Sequence, residues 1–420
     1  MYLSGKYKRI AAVCSAFILL FPATDSSFAA NAKSDDWPQW RGPNRNGISA
    51  EKGILKNWPA NGPKVLWRIA SGDGYSGMSV ANGKLYTAWG DGNWSYLYCF
   101  DAATGKQLWQ HKLGTNPYID RGRGPRSTPQ VDHNLVFAAD GYGKLHAVNA
   151  TTGELVWRHD LAREYGCRIP TWGYSSSPMV FGNMLIIQVG GQRDHAFIAF
   201  EKKSGDMIWH SQTDEPAYSS PIVATIHGTR QIIFFSANGL HAVSPQNGIL
   251  FWKYRWTTSY DANVANPIFI APDKIYISSS YGTGAAVVQI NERAGRFTAE
   301  TVWKSRVMKN HFNSAVLIDG YIYGFDDGTL KCIEAESGRE MWKTRGFQKG
   351  QLIFADGCFI VLGERGQLAL IEATPNSYRE KTNAQMLRGK CWTMPTLANG
   401  KLYIRNQREM LCLDFQEKAK

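Results

Sequence analysis

The stretch CFDAATGKQLW at residues 99–109 is one copy of a motif that recurs along the chain and determines its architecture. Each copy holds a small residue, an apolar residue, a polar turn with glycine, and a tryptophan four positions after that glycine. Four more complete copies occupy residues 147–157, 199–209, 242–252 and 332–342. Five copies with one internal spacing identify a repeat protein, because unrelated segments would not share this register.

Each copy is preceded by two apolar stretches separated by a polar turn, often opened by a proline such as Pro129, Pro178 or Pro221. One unit therefore holds four short strands in about 44 residues, which is the size of a propeller blade. We predict an all-β protein, a single eight-bladed β-propeller of four-stranded antiparallel blades at residues 64–416. The N-terminal strand at residues 64–68 is expected to complete the last blade, so that no sheet edge stays open at the seam.

The repeated tryptophan is expected to be structural. Glycine in the turn can adopt a positive φ, and the tryptophan on the outer strand can bury most of its ~150–250 Å² against the neighbouring blade. One copy carries about four extra residues before Trp303, and the copy at residues 370–376 has no tryptophan. Cys99, Cys332 and Cys412 fill the small position and are predicted to be core residues. The predicted structural tryptophans are Trp67, Trp109, Trp157, Trp209, Trp252, Trp303 and Trp342.

The composition fits an exported globular protein. The 420 residues are 44% hydrophobic and 20% charged, with a formal net charge of +12. Residues 1–32 combine a basic head, an apolar run and small residues, which predicts a cleaved signal peptide, with an uncleaved anchor as the alternative. Cys14 lies inside the apolar run, so a lipid anchor is not expected. We predict a periplasmic or secreted protein with an N-terminal segment at 33–63, a tail at 417–420 and no transmembrane segment after cleavage.

The pattern A-x-[DN]-x-x-[TS]-G-x-x-x-W resembles the tryptophan-docking repeat of quinoprotein alcohol dehydrogenases, of the outer-membrane assembly lipoprotein BamB and of secreted PQQ-like propellers. The stretch WPQWRGPNRNG at residues 37–47 is similar to the start of those secreted propellers, and the resemblance extends to residue 415. This resemblance is specific for the propeller fold. It leaves the activity open, because the family includes both enzymes and non-enzymes.

For a quinoprotein dehydrogenase, the resemblance implies PQQ on the axis, Ca²⁺ beside it and an aspartate as general base. Asp261 would be that catalytic base. Asp261 and Asn263, near Asn266, would bind Ca²⁺. The alternative is that these side chains cap the backbone of a turn. The family's disulfide between adjacent cysteines is missing, so no cofactor is firmly predicted and PQQ with Ca²⁺ is kept as the alternative. Most cysteines are expected to be free thiols, and a Cys167–Cys391 pair stays open.

The segments before each blade should line the central axis, where propellers bind ligands. Arginines and lysines there could bind anionic groups, because guanidinium forks match carboxylate, phosphate and sulfate. Aromatic rings could stack on a sugar or a quinone, and amides could bind hydroxyls. Alternatively, these side chains satisfy backbone groups, and His311 has no metal partner at ligand spacing. The predicted ligand-binding residues are Arg121, Arg123, Arg126, Arg168, Trp172, Tyr174, Tyr218, Asn263, Asn266, Lys309, His311, Asn313 and Trp392.

Three functions fit these observations. The preferred one is a binding module of the cell envelope that takes an anionic glycan, another small ligand or an envelope protein; a BamB-like role is weakened by the missing lipid-anchor signal. The second is a PQQ- and Ca²⁺-dependent oxidoreductase acting on alcohols or sugars. The third is a polysaccharide-active enzyme, which needs two nearby carboxylates from Asp120, Glu164 and Asp261. The positive charge favours acidic partners, and no nucleic-acid motif is present.

Overall fold

The predicted propeller is confirmed, with eight four-stranded antiparallel sheets arranged in a ring. The computed structural model describes Met1 and residues 35–417, so the predicted signal peptide beyond Met1 and most of the predicted tail lie outside the described residues. Neighbouring sheets touch through their innermost strands. The strands of each blade run in chain order from the axis outward, so the loops that precede the innermost strands lie at one end of the axis.

The first strand, β1 (Val65–Ala70), belongs to the last blade. Blade 1 contains β2 (Ser79–Ala81), β3 (Lys84–Asp91), β4 (Trp94–Asp101) and β5 (Gln107–Thr115). Blade 2 contains β6 (Gln130–Asp132), β7 (Leu135–Ala139), β8 (Lys144–Asn149) and β9 (Leu155–Asp160). Blade 3 contains β10 (Met179–Phe181), β11 (Met184–Gln188), β12 (Phe197–Glu201) and β13 (Met207–Ser211). Blade 4 contains β14 (Ile222–Ile226), β15 (Thr229–Ser236), β16 (Gly239–Val243) and β17 (Leu250–Arg255).

The other four blades repeat this plan. Blade 5 contains β18 (Ile268–Ile270), β19 (Lys274–Ser279), β20 (Gly284–Arg293) and β21 (Arg296–Ser305). Blade 6 contains β22 (Val316–Ile318), β23 (Tyr321–Asp326), β24 (Thr329–Glu334) and β25 (Glu340–Thr344). Blade 7 contains β26 (Gln351–Ala355), β27 (Cys358–Leu362), β28 (Gln367–Glu372) and β29 (Glu380–Gln385). Blade 8 contains β30 (Thr396–Ala398), β31 (Lys401–Arg405), β32 (Glu409–Asp414) and β1.

Helical structure is limited to two short segments of the described chain, α1 (Leu161–Tyr165) after β9 and a 3₁₀ turn (Ser259–Asp261) before β18. Within residues 35–417, no helix has the length and apolarity needed to cross a bilayer. The ring is closed by β1, which pairs antiparallel with β32 and places Trp67 opposite Cys412, as predicted. The extra residues of the irregular copy in blade 5 lengthen the β20–β21 hairpin, whose two strands have ten residues each.

Six of the repeated tryptophans join neighbouring blades through the same contact. Trp109 on β5 donates its indole N–H to the carbonyl of Ala150 in blade 2 (3.3 Å), and Trp157 on β9 donates to Lys202 in blade 3 (3.0 Å). The indole also covers the turn glycine, since a Cβ on Gly153 would lie 2.7 Å from the Trp109 ring. This contact explains why glycine and tryptophan recur together. The same bond joins Trp67 to Ala102, Trp209 to Pro245, Trp303 to Ala335 and Trp342 to Thr374.

Two junctions lack this contact, and other donors replace the tryptophan. Trp252 donates to Gln231 Oε1 of its own blade at 2.7 Å. The equivalent acceptor carbonyl in blade 5, that of Ile290, is bonded instead by His227 Nε2 at 2.8 Å. Between blades 7 and 8, the carbonyl of Phe415 accepts the backbone N–H of Leu55 at 2.7 Å. Every repeat acceptor is therefore satisfied, as buried carbonyls require.

The small position of the repeat faces a tryptophan across the strand pair. Cys99 lies opposite Trp109, and Cys332 lies opposite Trp342. A large side chain at these positions would compete with the indole for space, which explains the alternation of alanine and cysteine. All six cysteines of the described residues are buried free thiols, so the Cys167–Cys391 disulfide is not formed.

Candidate ligand site on the propeller axis

The N-terminal segment closes one end of the axial channel. Residues 37–47, here called the plug, cross the innermost strands. The N–H of Val131 in blade 2 donates to Pro38 O at 2.8 Å, and Arg41 Nη2 donates to Ala315 O at the start of blade 6 at 2.6 Å. Blades 2 and 6 are opposite each other in an eight-membered ring, so the plug spans the channel.

Two buried arginines hold the plug through backbone carbonyls, and neither has a carboxylate partner within residues 35–417. Arg41 also donates to Ser314 O (3.2 Å), and Arg45 donates to Pro178 O beside blade 3 (3.0 Å). Burial lowers the pKa of each guanidinium to about 9, with Arg41 adding to the effect on Arg45, so both remain charged at neutral pH. Hydrogen bonds to several carbonyls compensate for the burial of these charges. The plug is therefore an integrated part of the ring.

Above the plug, a cavity of about 450 Å³ lies on the axis. Trp40 of the plug forms part of its wall and donates its indole N–H to Asn266 Oδ1 at 2.9 Å. Most of the wall comes from the loops that precede the innermost strands, and every blade contributes to it. One wall residue from each blade, in blade order, is Tyr75, Arg126, Trp172, Tyr218, Tyr281, His311, Lys349 and Trp392.

Aromatic side chains form a belt around most of this cavity. Trp172 stacks on Tyr281 with ring centroids 5.7 Å apart and 12° between the planes, and it contacts Tyr218 at 5.5 Å. Trp392 packs against Phe312 with centroids 4.6 Å apart. The wall therefore offers apolar ring surface on several sides. In order of contact, the belt consists of Tyr218, Trp172, Tyr281, His311, Phe312, Trp392 and Tyr75.

Arg126 completes the belt next to Tyr75 and Tyr218. Its guanidinium carbon lies 5.7 Å from the centre of the Tyr75 ring. Its Nη2 donates to Gly122 O at 2.6 Å, and its Nη1 donates to Gly124 O. Burial lowers the pKa of Arg126 to about 10 while the two tyrosines oppose the shift, so the side chain is positive at neutral pH. None of the charges that act on it among the described residues is a carboxylate. A desolvated cation in an aromatic cavity is a strong attractant for an anion.

The rest of the wall is also more positive than negative. Arg121 is exposed at the rim, and Lys349 lines the cavity. Glu364 is the one carboxylate in the described wall, and it accepts the indole N–H of Trp392 (2.8 Å) and the backbone N–H of Lys349 (3.3 Å). Burial, reinforced by Lys349, lowers the pKa of His311 to about 4, so its ring is neutral at pH 7.

The backbone at the open mouth is strained. Arg121, Tyr260, Asp261 and Tyr281 have φ values of 75°, 63°, 53° and 53°, a region that side chains with a Cβ rarely occupy. Contacts of the Trp172 ring with Tyr260 and Tyr281, at 5.6 and 5.7 Å, help to hold these conformations. Such strain costs about 1–3 kcal/mol per residue. Residues elsewhere in the ring, such as Asn82 and His227, also have positive φ values.

Comparison with known proteins places this architecture in a family. Residues 93–344 match the family described as outer membrane protein assembly factor BamB. The chain belongs to this family. Within it, outer membrane protein assembly factor BamB of Moranella endobia (strain PCIT) is 22% identical over 292 residues, which cover 64% of this chain and 69% of that protein.

Quinone-dependent dehydrogenases are similar to this BamB-family chain as well. The dehydrogenase subunit of alcohol dehydrogenase (quinone) from Gluconobacter oxydans (strain 621H) is 25% identical over 224 residues, 48% of this chain. The chain spans 27% of that subunit's length. The crystal structure of quinohemoprotein alcohol dehydrogenase from Comamonas testosteroni superposes with a TM-score of 0.67 at 13% identity, covering 93% of this chain and 82% of that one. At this identity the superposition shows a shared fold.

Some predicted site residues of this BamB-family propeller meet at the cavity, and others do not. Arg123 points to Asp73 at 3.9 Å, and Lys309 pairs with Asp326. Tyr174 is buried and donates its hydroxyl to a backbone carbonyl. These three side chains have structural partners, as the alternative interpretation expected. The predicted residues that line the cavity are Arg121, Arg126, Trp172, Tyr218, His311 and Trp392.

The three predicted asparagines are buried at strand starts and satisfy backbone groups. Asn263 donates to three carbonyls, and its Oδ1 accepts the hydroxyl of Ser279 at 2.8 Å. Asn266 donates to Ser220 O at 3.1 Å in addition to accepting from the plug. Asn313 donates to a backbone carbonyl of the blade 7 loop. Their amide groups are therefore engaged within the fold and do not line the cavity.

The residues proposed for Ca²⁺ do not form an oxygen cage. The Asp261 carboxylate is held by Arg168 at 3.0 Å, and Arg168 also binds Glu215 at 2.9 Å. Because Asn263 is engaged elsewhere, Asp261 has no second ligand from the predicted set. No group of three or more metal-ligating side chains is present within residues 35–417. Since Ca²⁺ prefers six to eight oxygens, these side chains do not fit it.

The three carboxylates considered for polysaccharide cleavage are not on the cavity wall. Asp120 pairs with Arg121 at the rim (3.4 Å), and Glu164 binds His159 on the outer part of blade 2 (2.6 Å). Asp261 is held by Arg168. A pair of carboxylates flanking a ligand in this cavity is therefore not assembled from these residues.

Sequence analysis missed Tyr75, Tyr281, Lys349, Glu364 and the plug residue Trp40, all of which line the cavity. Blades 1 and 7, like blade 6, have no proline before their innermost strands, so the marker that located the loops of blades 2–5 and 8 was absent there. Tyr281 and Glu364 lie in turns on the inner side of blades 5 and 7, which the search for loops before each blade did not include. Aligning all eight repeats by strand would have found these turns.

Proposed function

We propose that this protein is an exported, ligand-binding propeller of the cell envelope, and that its axial cavity binds a small anionic molecule containing a ring, such as an acidic sugar unit of a glycan. The observation that carries the proposal is Arg126, a desolvated cation inside an aromatic wall, to which the described residues offer two backbone carbonyls and no carboxylate. The proposal assigns the protein a binding function without bond-breaking chemistry.

The size and wall of the cavity support a ligand of one or two rings. A volume of about 450 Å³ is within the usual range of small-molecule sites, and most such sites combine apolar walls with a few polar groups. Trp172 and Trp392 stand on different sides of the belt and offer stacking surface to a ring. The plug closes the inner end, so the ligand would enter from the mouth between Arg121 and Tyr260.

Titration calorimetry with two disaccharides tests this proposal. Unsulfated chondroitin disaccharide carries one carboxylate, whereas lactose is neutral and of similar size. We expect the acidic disaccharide to bind at least tenfold more tightly, with an affinity that falls as salt rises because counter-ions screen Arg126 and Lys349. Equal affinity for both sugars, or binding of neither, would contradict the proposal.

The envelope location and a protein partner are also proposals, supported by the resemblance of the N-terminus to a signal peptide and by relatives named as outer membrane assembly factors. N-terminal sequencing of the protein recovered from a periplasmic fraction should give a start near residue 33. Recovery of the chain in the cytoplasm with residues 1–32 intact would refute export. Cross-linking in intact cells, followed by identification of envelope proteins, tests the partner.

A quinoprotein oxidoreductase remains the second candidate because the alignment with a quinone-dependent dehydrogenase covers 48% of the chain. The poor fit of Asp261 and Asn263 to Ca²⁺ argues against it. Equilibrium dialysis against PQQ, with and without Ca²⁺, separates the two functions. Stoichiometric retention that depends on Ca²⁺ and is lost in Asp261→Ala would favour the oxidoreductase. Retention that is independent of Ca²⁺ and lost in Arg126→Ala would make PQQ one more anionic ring ligand of the cavity.

A further inference from the structure

A second depression adjoins the axial cavity at the mouth, over blades 7 and 8. It has a volume of about 520 Å³ and shares Glu364 with the cavity wall. Its positive side chains are Arg365, Arg388 and Lys390. Lys390 also connects the two spaces, since its Nζ lies 4.2 Å from the centre of the Trp392 ring in the cavity wall.

The loops that carry these cations are fixed by backbone contacts. The N–H groups of Met386 and Leu387 both donate to Gly366 O, at 3.0 and 3.2 Å, and the N–H of Cys391 donates to Glu364 O at 2.8 Å. A Cβ on Gly366 would lie 2.2 Å from Leu387 O, so the two loops touch at this glycine. The turn after β27 and the loop after β29 therefore form one rigid ledge.

Within the described residues, the guanidinium groups of Arg365 and Arg388 donate no hydrogen bond to the fold, whereas Lys390 Nζ lies 3.5 Å from Arg121 O. The backbone carbonyls of Arg365 and Arg388 accept bonds from Gln385 (2.8 Å) and Asn406 (2.9 Å), which anchors the main chain beneath each guanidinium. The side chains of Arg365 and Arg388 are exposed. Within the described chain, Glu364 is the one carboxylate lining this depression, and it is already bonded to Trp392.

We propose that this ledge is an anion subsite that extends the axial cavity, and that the preferred ligand is a glycan fragment with two separated acidic groups. One ring with its carboxylate would occupy the belt near Arg126, and a second group, a sulfate ester or carboxylate, would bind the guanidinium groups of Arg365 and Arg388. The planar fork of arginine suits both oxyanions. This inference rests on the proposed function of the cavity and specifies its ligand class.

A matched pair of ligands tests the subsite. Chondroitin disaccharide and its 6-sulfated form have the same rings and carboxylate and differ by one sulfate ester. We expect the sulfated form to bind the purified protein about tenfold more tightly. In the double variant Arg365→Ala/Arg388→Ala, that preference should fall below about twofold while the affinity for the unsulfated form stays unchanged. The double variant Arg293→Ala/Arg296→Ala removes the same charge at the distant β20–β21 hairpin and should keep the preference.

The outcomes distinguish the subsite from the cavity. If both disaccharides bind the unaltered protein equally, or if the ledge variant keeps the sulfate preference, the subsite is wrong and the cavity proposal stands. If the hairpin variant loses the preference as the ledge variant does, the effect comes from net charge and the subsite is again wrong. If neither disaccharide binds, both proposals fail together.

Discussion

The outer rim and the axial mouth of this propeller are built by opposite rules. At the rim, six junctions use one contact, a tryptophan N–H bonded to the carbonyl of the next blade. At the mouth, the eight blades supply different side chains to one cavity. Repetition is what a ring of similar sheets needs for closure. Recognition of a particular ligand instead requires different side chains at equivalent positions of the blades.

The two regions also differ in how their polar side chains are bonded within the fold. All six rim tryptophans are bonded, and all but Trp109 and Trp303 are buried. The two junctions without such a bond replace it through His227 and Leu55. At the mouth, Arg126 donates to two backbone carbonyls and has no carboxylate partner among the described residues. The rim thus uses its donors within the fold, and the mouth carries the cation that we propose to bind a ligand.

The largest expected effect is the loss of a rim tryptophan. Trp157→Ala should lower the free energy of unfolding by about 3–5 kcal/mol, because it leaves a large cavity between blades 2 and 3. Trp172→Ala at the mouth should lower it by less than about 1 kcal/mol, since that ring is only half-buried. Urea unfolding of both variants checks this, and equal losses would remove the distinction between rim and mouth.

The same pair of positions should show the reverse order in binding. Trp172→Ala removes the ring that contacts Tyr218, Tyr260 and Tyr281, so the acidic disaccharide should bind about 10–100-fold more weakly. Trp157→Phe, which keeps the rim packed, should bind within about twofold of the unaltered protein. Calorimetry on the folded variants measures both. A Trp157→Phe protein with the larger binding defect would reverse the assignment.

The N-terminal segment should behave as part of the fold, and Glu51 gives a pH test of this. Its Oε2 accepts the N–H of Gly400 in blade 8 at 2.6 Å, and burial raises the pKa of the carboxyl to about 7. Because the unfolded chain releases this proton at lower pH, the group costs stability as pH rises from about 4.5 to 7. Glu51→Gln should flatten stability over that window and add about 1–2 kcal/mol at pH 8. An unchanged pH profile from thermal unfolding would show that Glu51 is not buried in this way.

The smallest expected effect concerns the irregular junction between blades 4 and 5. His227→Ala removes the donor to Ile290 O and should cost about 1 kcal/mol of unfolding free energy. Trp209→Phe removes the equivalent bond to Pro245 O at a regular junction, with similar expected cost. Urea unfolding of the two variants compares the stability that the histidine bond and the tryptophan bond contribute. No loss in His227→Ala would mean that this junction is closed by other contacts, such as Tyr254 with Thr301.

The rim could be predicted from sequence because its residues repeat with a fixed spacing. The mouth could be predicted only in part, since Trp172, Tyr218 and Trp392 stood in recognisable loops before their blades. Asp261 and Asn263 stand two positions apart, but their side chains have different partners, Arg168 for Asp261 and the fold interior for Asn263, because neighbours in a turn can point in different directions. Arg168 binds Asp261 and Glu215 across the mouth, which no spacing rule could reveal.

The plug shows a further limit of sequence reasoning. The stretch at residues 37–47 resembles the start of other propellers, yet its course across the channel depends on contacts with residues more than 130 positions away. Arg45 bonds Pro178, and Arg41 bonds Ser314 and Ala315. Backbone carbonyls occur at every residue, so a sequence does not show which of them a buried arginine will bind. Among the described residues neither arginine has an acidic partner that could have indicated the contact.

The central claim is that the axial cavity binds an anionic ring through Arg126, and one matched pair of variants tests it most directly. Arg126 and Arg123 lie in the same loop and carry the same charge, but only Arg126 lines the cavity. Titration calorimetry with unsulfated chondroitin disaccharide should show at least tenfold weaker binding for Arg126→Ala and little change for Arg123→Ala. Equal affinities of the two variants would contradict the claim.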